Sequence, residues 1–297
     1  MAYLYLPIKK DYIAYGPDTN CTLAVCDVSL SVYQYRPSLP ANAIFIALFG
    51  IALVLHLIQG YMWKTWTFTI CILLGCVSEM LGYGGRVMLY ENPFSFTGFL
   101  LQAICITIAP VFYAAGIYFT LSKIVIFLGP QYSHFPPKFY YWCFIPCDIL
   151  SLVLQSIGGA LSSTSSGDNG AAVDISIAGL SFQVFTLLVF ISLSSEFAWR
   201  FVNATDSTIR KSTLPKSFKM FVYFLSAATV LILIRCAYRI AELRDGYHGT
   251  LIHNEGGFIA LEGVMIVLAV FCLNIGHPGC AFPRETAEAS SDDAVKT

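Results

Sequence analysis

The sequence predicts an all-α polytopic membrane protein, a bundle of seven transmembrane helices, and three observations carry that reading. Of 297 residues, 57% are hydrophobic and 12% charged, whereas a water-soluble domain carries about 25% charged residues. Mean hydropathy is +0.68. The apolar residues also gather into seven stretches, 41–63, 67–89, 99–127, 139–161, 175–197, 218–243 and 258–275, each close to the roughly 20 residues that cross a bilayer core.

Each stretch has its own signals. Pro37 and Pro40 in Tyr35-Arg36-Pro37-Ser38-Leu39-Pro40 disfavour helix before Ala41 and set the start of the first span. Trp63 and Trp66 flank the turn into the second, where interfacial aromatics belong. The third contains Gln102, Pro110 and Tyr118, and Pro110 removes one i to i−4 hydrogen bond. The fourth holds Asp148, Gln155 and Gly158-Gly159, the fifth Gln183, and the seventh Glu262 and Asn274. The linker 162–174 is rich in Ser and Gly and has no basic residue, the composition of a flexible loop.

The distribution of Lys and Arg sets an expected orientation. Lys64, Lys123, Lys138, Arg200, Arg210, Lys211, Lys216, Lys219, Arg284 and Lys296 fall on one side, against Lys9, Lys10, Arg36 and Arg244 on the other. The excess predicts an extracellular N-terminal tail over 1–40, a transmembrane domain over 41–277 and a disordered cytosolic tail over 278–297. Lys9 and Lys10 precede no apolar core before Pro40, so the start does not read as a signal peptide, and the first span is expected to insert the chain. Asn20-Cys21-Thr22 is a glycosylation sequon that suits an outer location, and Cys21 with Cys26 suits a small disulfide in an oxidising space. The sequon at Asn203 falls in a basic linker and is expected to be unused.

Charges at membrane depth are costly and mark a candidate site. Glu79, Gly82, Tyr83 and Arg86 share one helical stripe of the second span, and Arg235, Tyr238, Arg239 and Glu242 share one of the sixth, since residues three, four and seven apart lie on one face. The two patterns run in opposite order. If the stripes face each other, Glu79 meets Arg235 and Arg86 meets Glu242, leaving Arg239 for a further acid or a substrate anion. Such pairs also serve simply to hold helices in register.

These residues carry a family resemblance. The runs Glu79-Met80-Leu81-Gly82-Tyr83-Gly84-Gly85-Arg86, Ala109-Pro110 with Ala115 and Tyr118, and Asp148 with Gln155-Ser156-Ile157-Gly158-Gly159 resemble the fungal lipid-translocating exporters, also known for aminocholesterol resistance. Gly179-Leu180 with Gln183, Arg235 with Tyr238-Arg239-Ile240-Ala241-Glu242, His253-Asn254-Glu255 and Gly276-His277-Pro278-Gly279 continue the likeness over roughly 35–279. Glu262 stands where the family pattern usually has Asp, and the proline that follows there is absent. The resemblance implies seven spans, a plasma-membrane or related location, and export or translocation of amphipathic lipids such as sphingoid bases or aminated sterols.

Such cargo is cationic, so Glu79, Asp148, Glu242 and Glu262 are the residues expected to meet an ammonium. Tyr83, Tyr118 and Tyr238 can add cation–π contacts, although buried tyrosines also serve as plain packing residues. Arg86, Gln155, Gln183, Arg235, Arg239 and Glu255 complete the candidate set. No G-x-x-x-x-G-K-[ST] run occurs, which argues against ATP hydrolysis by this chain. An enzyme is not expected, because the five histidines fit no hydrolase ligand spacing. His56, alone inside a span, does not supply paired haem ligands. His248 and His253 with Glu255 match no standard metal pattern. No cofactor, metal or nucleic acid is expected; the partners are membrane lipids or other amphipathic small molecules. A seven-helix lipid sensor, or a regulator of another transporter, is the alternative to a translocase.

Overall fold

The structure is a computed structural model, and it describes residues 12–14, 16–164, 170–204, 216–244, 249 and 251–282. Residues 283–297 and much of the fourth, fifth and sixth linkers, including Thr205, Arg210, Lys211 and His248, lie outside the described residues. Within them are seven helices long and apolar enough to cross a membrane: α1 (Leu39–Trp63), α2 (Trp66–Glu91), α3 (Phe96–Leu128), α4 (Phe139–Thr164), α5 (Gly170–Ala204), α6 (Lys216–Arg244) and α7 (Glu255–Ala281). The chain is an integral membrane protein.

Local chemistry sets the ends. Pro40 sits in the first turn of α1, where its missing N–H costs nothing. Lys64 turns the chain with a left-handed backbone at φ 54°. The Ser95 hydroxyl accepts from the Gly98 N–H to cap α3, and the Asn254 side chain accepts from the Gly257 N–H to cap α7, satisfying donors that a helix start leaves open. α7 is not uniform. After one α turn it widens into a π-helical segment, Phe258–Val264, returns to α over Met265–Ile275, breaks at Gly276, and ends in the short Pro278–Ala281 helix.

The helices close into a ring in which each packs on its neighbours and α1 meets α7, while α3 also touches α6 across the interior. Phe45, Phe49, Ile72, Ile106, Tyr113, Ile117, Phe190, Phe221 and Ile266 fill the centre. Ile51, Val54, Ile58, Ile70, Leu81, Ile149 and Phe185 point outward and are exposed, as a lipid-facing belt requires. Aliphatic burial does not attract helices to one another in lipid, so close approach of backbones matters more. At Gly85 an added Cβ would lie 2.7 Å from both the Gln102 nitrogen and the Gly98 oxygen, whereas beside it Gly84 faces open space. α4 and α5 repeat the device: a Cβ at Gly179 would lie 2.8 Å from the Ser151 oxygen, and the neighbours of Gly158 are equally close while Gly159 is open.

The N-terminal tail folds over one end of the ring. The Arg36 guanidinium donates to the Tyr90 carbonyl at 2.7 Å and lies 3.8 Å from the Tyr90 ring centroid. Tyr33 packs with Leu89, Phe99 and Ile252. Further out, Cys21 and Cys26 form a disulfide that packs on Phe94. The Asp27 carboxylate, accepting from Ser29, caps a single 3-10 turn and is held below the ordinary carboxylate range by those hydrogen bonds.

A paired substitution tests the glycine contact. Gly85→Ala should cost about 1–3 kcal/mol through forced separation of α2 and α3, while Gly84→Ala should be neutral or slightly stabilising because alanine is the better helix former. Thermal unfolding of the detergent-purified protein reads both, and equal unfolding temperatures for the two variants would contradict the packing described.

Candidate functional site

The charged residues of the sixth and seventh helices meet at the centre of the end that the tail covers. Arg235 on α6 is fully buried; its Nη2 donates to Glu262 Oε1 at 2.6 Å and to the Ile106 carbonyl of α3 at 2.7 Å. Glu262 is 1% exposed and stands on the π-helical part of α7, a wider turn of the kind that frequently marks functional positions. One turn along α6, Arg239 Nη1 donates to Glu242 Oε2 at 2.5 Å, and its Nε lies 3.8 Å from Glu262. Arg86 on α2 is 1% exposed and lies 3.8 Å from Glu255 Oε1. Its Nε donates to Asn42 at 3.1 Å, its Nη2 to the Tyr35 hydroxyl at 3.0 Å, and its guanidinium carbon stacks 3.9 Å from the Phe258 ring centroid.

The pairing differs from the one that helix periodicity suggests. Arg235 takes Glu262 rather than Glu79, Arg86 lies against Glu255 rather than Glu242, and Arg239 closes on Glu242 of its own helix. The stripes of α2 and α6 do share one interior, but α7 enters between their charges and supplies the acids. Periodicity fixes which face of a helix a residue occupies and says nothing of a third helix. Glu79 itself is 1% exposed and its Oε1 has no hydrogen-bond partner. Tyr83, stacked on Phe45 at 4.8 Å and on Phe49 at 5.9 Å, buries a hydroxyl that is also unpartnered. The same holds for the Tyr238 hydroxyl, for Arg235 Nε and Nη1, and for Glu262 Oε2.

The remaining candidates form a second group between α3, α4 and α5. Asp148 accepts from the Tyr118 hydroxyl at 2.9 Å and from Thr186 at 3.2 Å, and Gln155 donates to Gln183 at 3.1 Å. No hydrogen bond or ion pair joins the two groups among the described residues. Cys236, next to Arg235 on α6, is fully buried in the main core.

Several residues of the site are not evident from motif or charge. Tyr33 and Tyr35 of the tail reach inward: Gln102 donates to the Tyr33 hydroxyl at 2.9 Å, and Tyr35 accepts from Arg86. Burial pushes both phenols above their ordinary range, which the nearby Arg86 only partly offsets, so they stay neutral. The Tyr33 carbonyl meets His253 Nδ1 at 3.0 Å, and Glu255 Oε1 accepts from the Ser38 N–H at 2.5 Å. His253 and Glu255 thus hold the tail, and no group of three metal-ligating side chains occurs among the described residues. Asn42 is the one signal available in the sequence, an amide at the head of an apolar helix. Asn20 is exposed.

At the opposite end His56 is not alone. His277, fully buried after the break in α7, lies 6.2 Å from it between ring centroids, stacks beside Trp63 and accepts through Nδ1 from the Gly279 N–H. The Gly276-His277-Pro278 break bends the chain back into the bundle, which a reading of span length places at a helix end.

Comparison with known proteins adds identity to this geometry. The chain is 35% identical over 280 residues, 83% of its length and 73% of the relative's, to the sphingoid long-chain base transporter RSB1 of Saccharomyces cerevisiae. It is 22% identical over 287 residues, 92% of its length and 72% of the relative's, to the probable lipid transporter atnI of Emericella nidulans. It is 27% identical over 218 residues to the protein RTM1 of Saccharomyces cerevisiae, covering 72% of this chain and 68% of that one. No solved structure matches. The family model described as RTA1 like protein matches residues 72–285, a stretch that contains every candidate charge from Glu79 to Glu262, and the chain therefore belongs to the RTA1-like family.

Proposed function

We propose that this protein translocates cationic amphipathic lipids, sphingoid long-chain bases first and aminated sterols second, with the headgroup passing through the seam of Glu79, Tyr83, Arg86, Arg235, Tyr238, Arg239, Glu242, Glu255 and Glu262. Lipid transport in general is supported by relatives named as a sphingoid long-chain base transporter and a probable lipid transporter. The observation that carries the finer reading is the set of unpartnered polar atoms inside the seam, on Glu79, Tyr83, Arg235, Tyr238 and Glu262. Buried polar groups nearly always find partners, and open ones on five residues of α2, α6 and α7 are what a polar headgroup would complete. The carboxylate of Asp148 is already engaged by Tyr118 and Thr186, and that group with Gln155 and Gln183 is assigned to positioning α3, α4 and α5.

The excess of Lys and Arg on one side, the exposed Asn20 sequon and the Cys21–Cys26 disulfide support an N-terminus outside the cell, a cytosolic C-terminus and a plasma-membrane location. The tail then covers the outer end of the seam.

Three outcomes check this reading. In liposomes, the purified protein should accelerate transbilayer movement of a fluorescent sphingoid base well above protein-free vesicles, and Arg235→Gln should abolish the acceleration; binding of the base with no acceleration would instead identify a sensor. Glu262→Gln strands Arg235 and should cost about 3–5 kcal/mol, seen as a lowered unfolding temperature. The exchange of Arg235→Glu with Glu262→Arg should recover more than half of that loss, and a double variant no better than the single would dismiss the pair as a structural tie. Finally, Asn20→Gln should remove a glycosidase-sensitive mobility shift that Asn203→Gln leaves in place, and the reverse pattern would invert the topology.

A further inference from the structure

The seam contains one acid more than its ion pairs use. Glu262 holds Arg235, Glu242 holds Arg239 and Glu255 lies against Arg86, so three guanidinium groups meet three carboxylates. Glu79 is the fourth acid, 1% exposed, with no ion pair among the described residues and an Oε1 that meets no donor. The groups that face it come from four helices. Its own α2 contributes Cys76 and Tyr83, α3 contributes Cys105 and Tyr113, α6 contributes Arg235 and α7 contributes Glu262. On Tyr83, α1 packs the rings of Phe45 and Phe49. Neither neighbouring phenol donates to Glu79: the Tyr113 hydroxyl goes to Cys76 Sγ at 3.8 Å, and the Tyr83 hydroxyl has no hydrogen-bond partner.

An ionised Glu79 would add one uncompensated negative charge to an interior that is already balanced. A carboxyl placed so neutralises by binding a proton, because Arg235 is already held by Glu262 and a buried charge without an ion pair of its own is costly. A cationic headgroup at the same spot removes that cost and makes the ionised form the stable one. We propose that Glu79 carries a proton in the empty protein and that a long-chain ammonium entering the seam replaces it, so that lipid cation and proton move in opposite directions. The inference rests on the lipid-cation reading above and adds to it the residue that exchanges and the gradient that drives transport.

The exchange balances in atoms and charge. The O–H bond of the Glu79 carboxylic acid breaks, the proton leaves to water on the side to which the seam is open, and the carboxylate pairs with the ammonium; no electron changes hands. Both loaded forms of the site have the same net charge, so each can cross between orientations at similar cost. One cation for one proton sets an accumulation ratio of about tenfold per unit of pH gradient, since a tenfold ratio of protons carries the same free energy as a tenfold ratio of cargo, with the cargo gathering in the leaflet on the acidic side.

The test uses the full chain in liposomes and a fluorescent long-chain base with an N,N,N-trimethylammonium head, a permanent cation that cannot itself ferry a proton. With a pH gradient of one unit, this probe should distribute about tenfold toward the acidic side, and its addition without a gradient should shift the reading of a pH dye trapped in the lumen. Both responses should vanish in Glu79→Gln and persist in Glu79→Asp. Infrared difference spectra on probe addition should show loss of a protonated-carboxyl C=O band in the native protein and no such loss in Glu79→Gln. Movement of the probe at a rate indifferent to the gradient, with a silent pH dye, would overturn proton exchange and leave lipid transport standing. No movement of the probe or of an unmethylated base under any condition would overturn lipid transport, and the exchange with it. Gradient-driven accumulation that survives Glu79→Gln would remove Glu79 from the role.

Discussion

The contact between Arg235 and Glu262 organises the rest of the seam. It joins α6 to the π-helical part of α7, and through the Ile106 carbonyl it also reaches α3. Two full charges are withdrawn from water here, and only close geometry offsets so large a desolvation cost. Everything nearby follows from keeping that geometry. The π segment presents Glu262, Gly82 lets α2 come close to Ile106 of α3, and Phe45 and Phe49 stack on Tyr83. Breaking the pair would leave Arg235 with the Ile106 carbonyl as its one remaining hydrogen-bond acceptor among the described residues.

Much of the fold is legible in the sequence because the membrane imposes it. Every backbone polar group must be satisfied inside its own segment, so apolar length alone identifies the spans. The positions that share α2 and α6 stripes are also legible, because helical period decides them. What the sequence does not disclose is partner choice. Glu79 and Arg235 lie in one interior, yet Glu262 arrives from a helix whose local widening leaves no mark in composition. Glu255 presents itself as a loop acid, and only the fold brings it to Arg86. Tyr33 and Tyr35 belong to a polar tail by hydropathy, and their inward turn depends on a gap at the top of α2 and α3 that no local pattern encodes. His277 was hidden for a similar reason: the chain re-enters the bundle after Gly276, whereas a linear count ends the span there.

The second group of polar residues, around Asp148, has another character. Its carboxylate is satisfied by two hydroxyls, and Gln155 donates to Gln183 while its own Oε1 stays open. Such a group fixes α3, α4 and α5 in one arrangement. The seam leaves more open, on Glu79, Tyr83, Arg235, Tyr238 and Glu262. No hydrogen bond or ion pair links the two groups among the described residues.

The tail is pinned at both ends. Toward the membrane it runs directly into α1 through Ser38, which Glu255 holds, and at its far end the Cys21–Cys26 ring rests on Phe94 at the α2–α3 turn. Between these anchors Tyr33 and Tyr35 lie over the seam. A segment fixed at two points cannot swing aside like a door; it can only bow. Any route between the seam and that end of the bundle therefore passes beside Tyr33 and Tyr35.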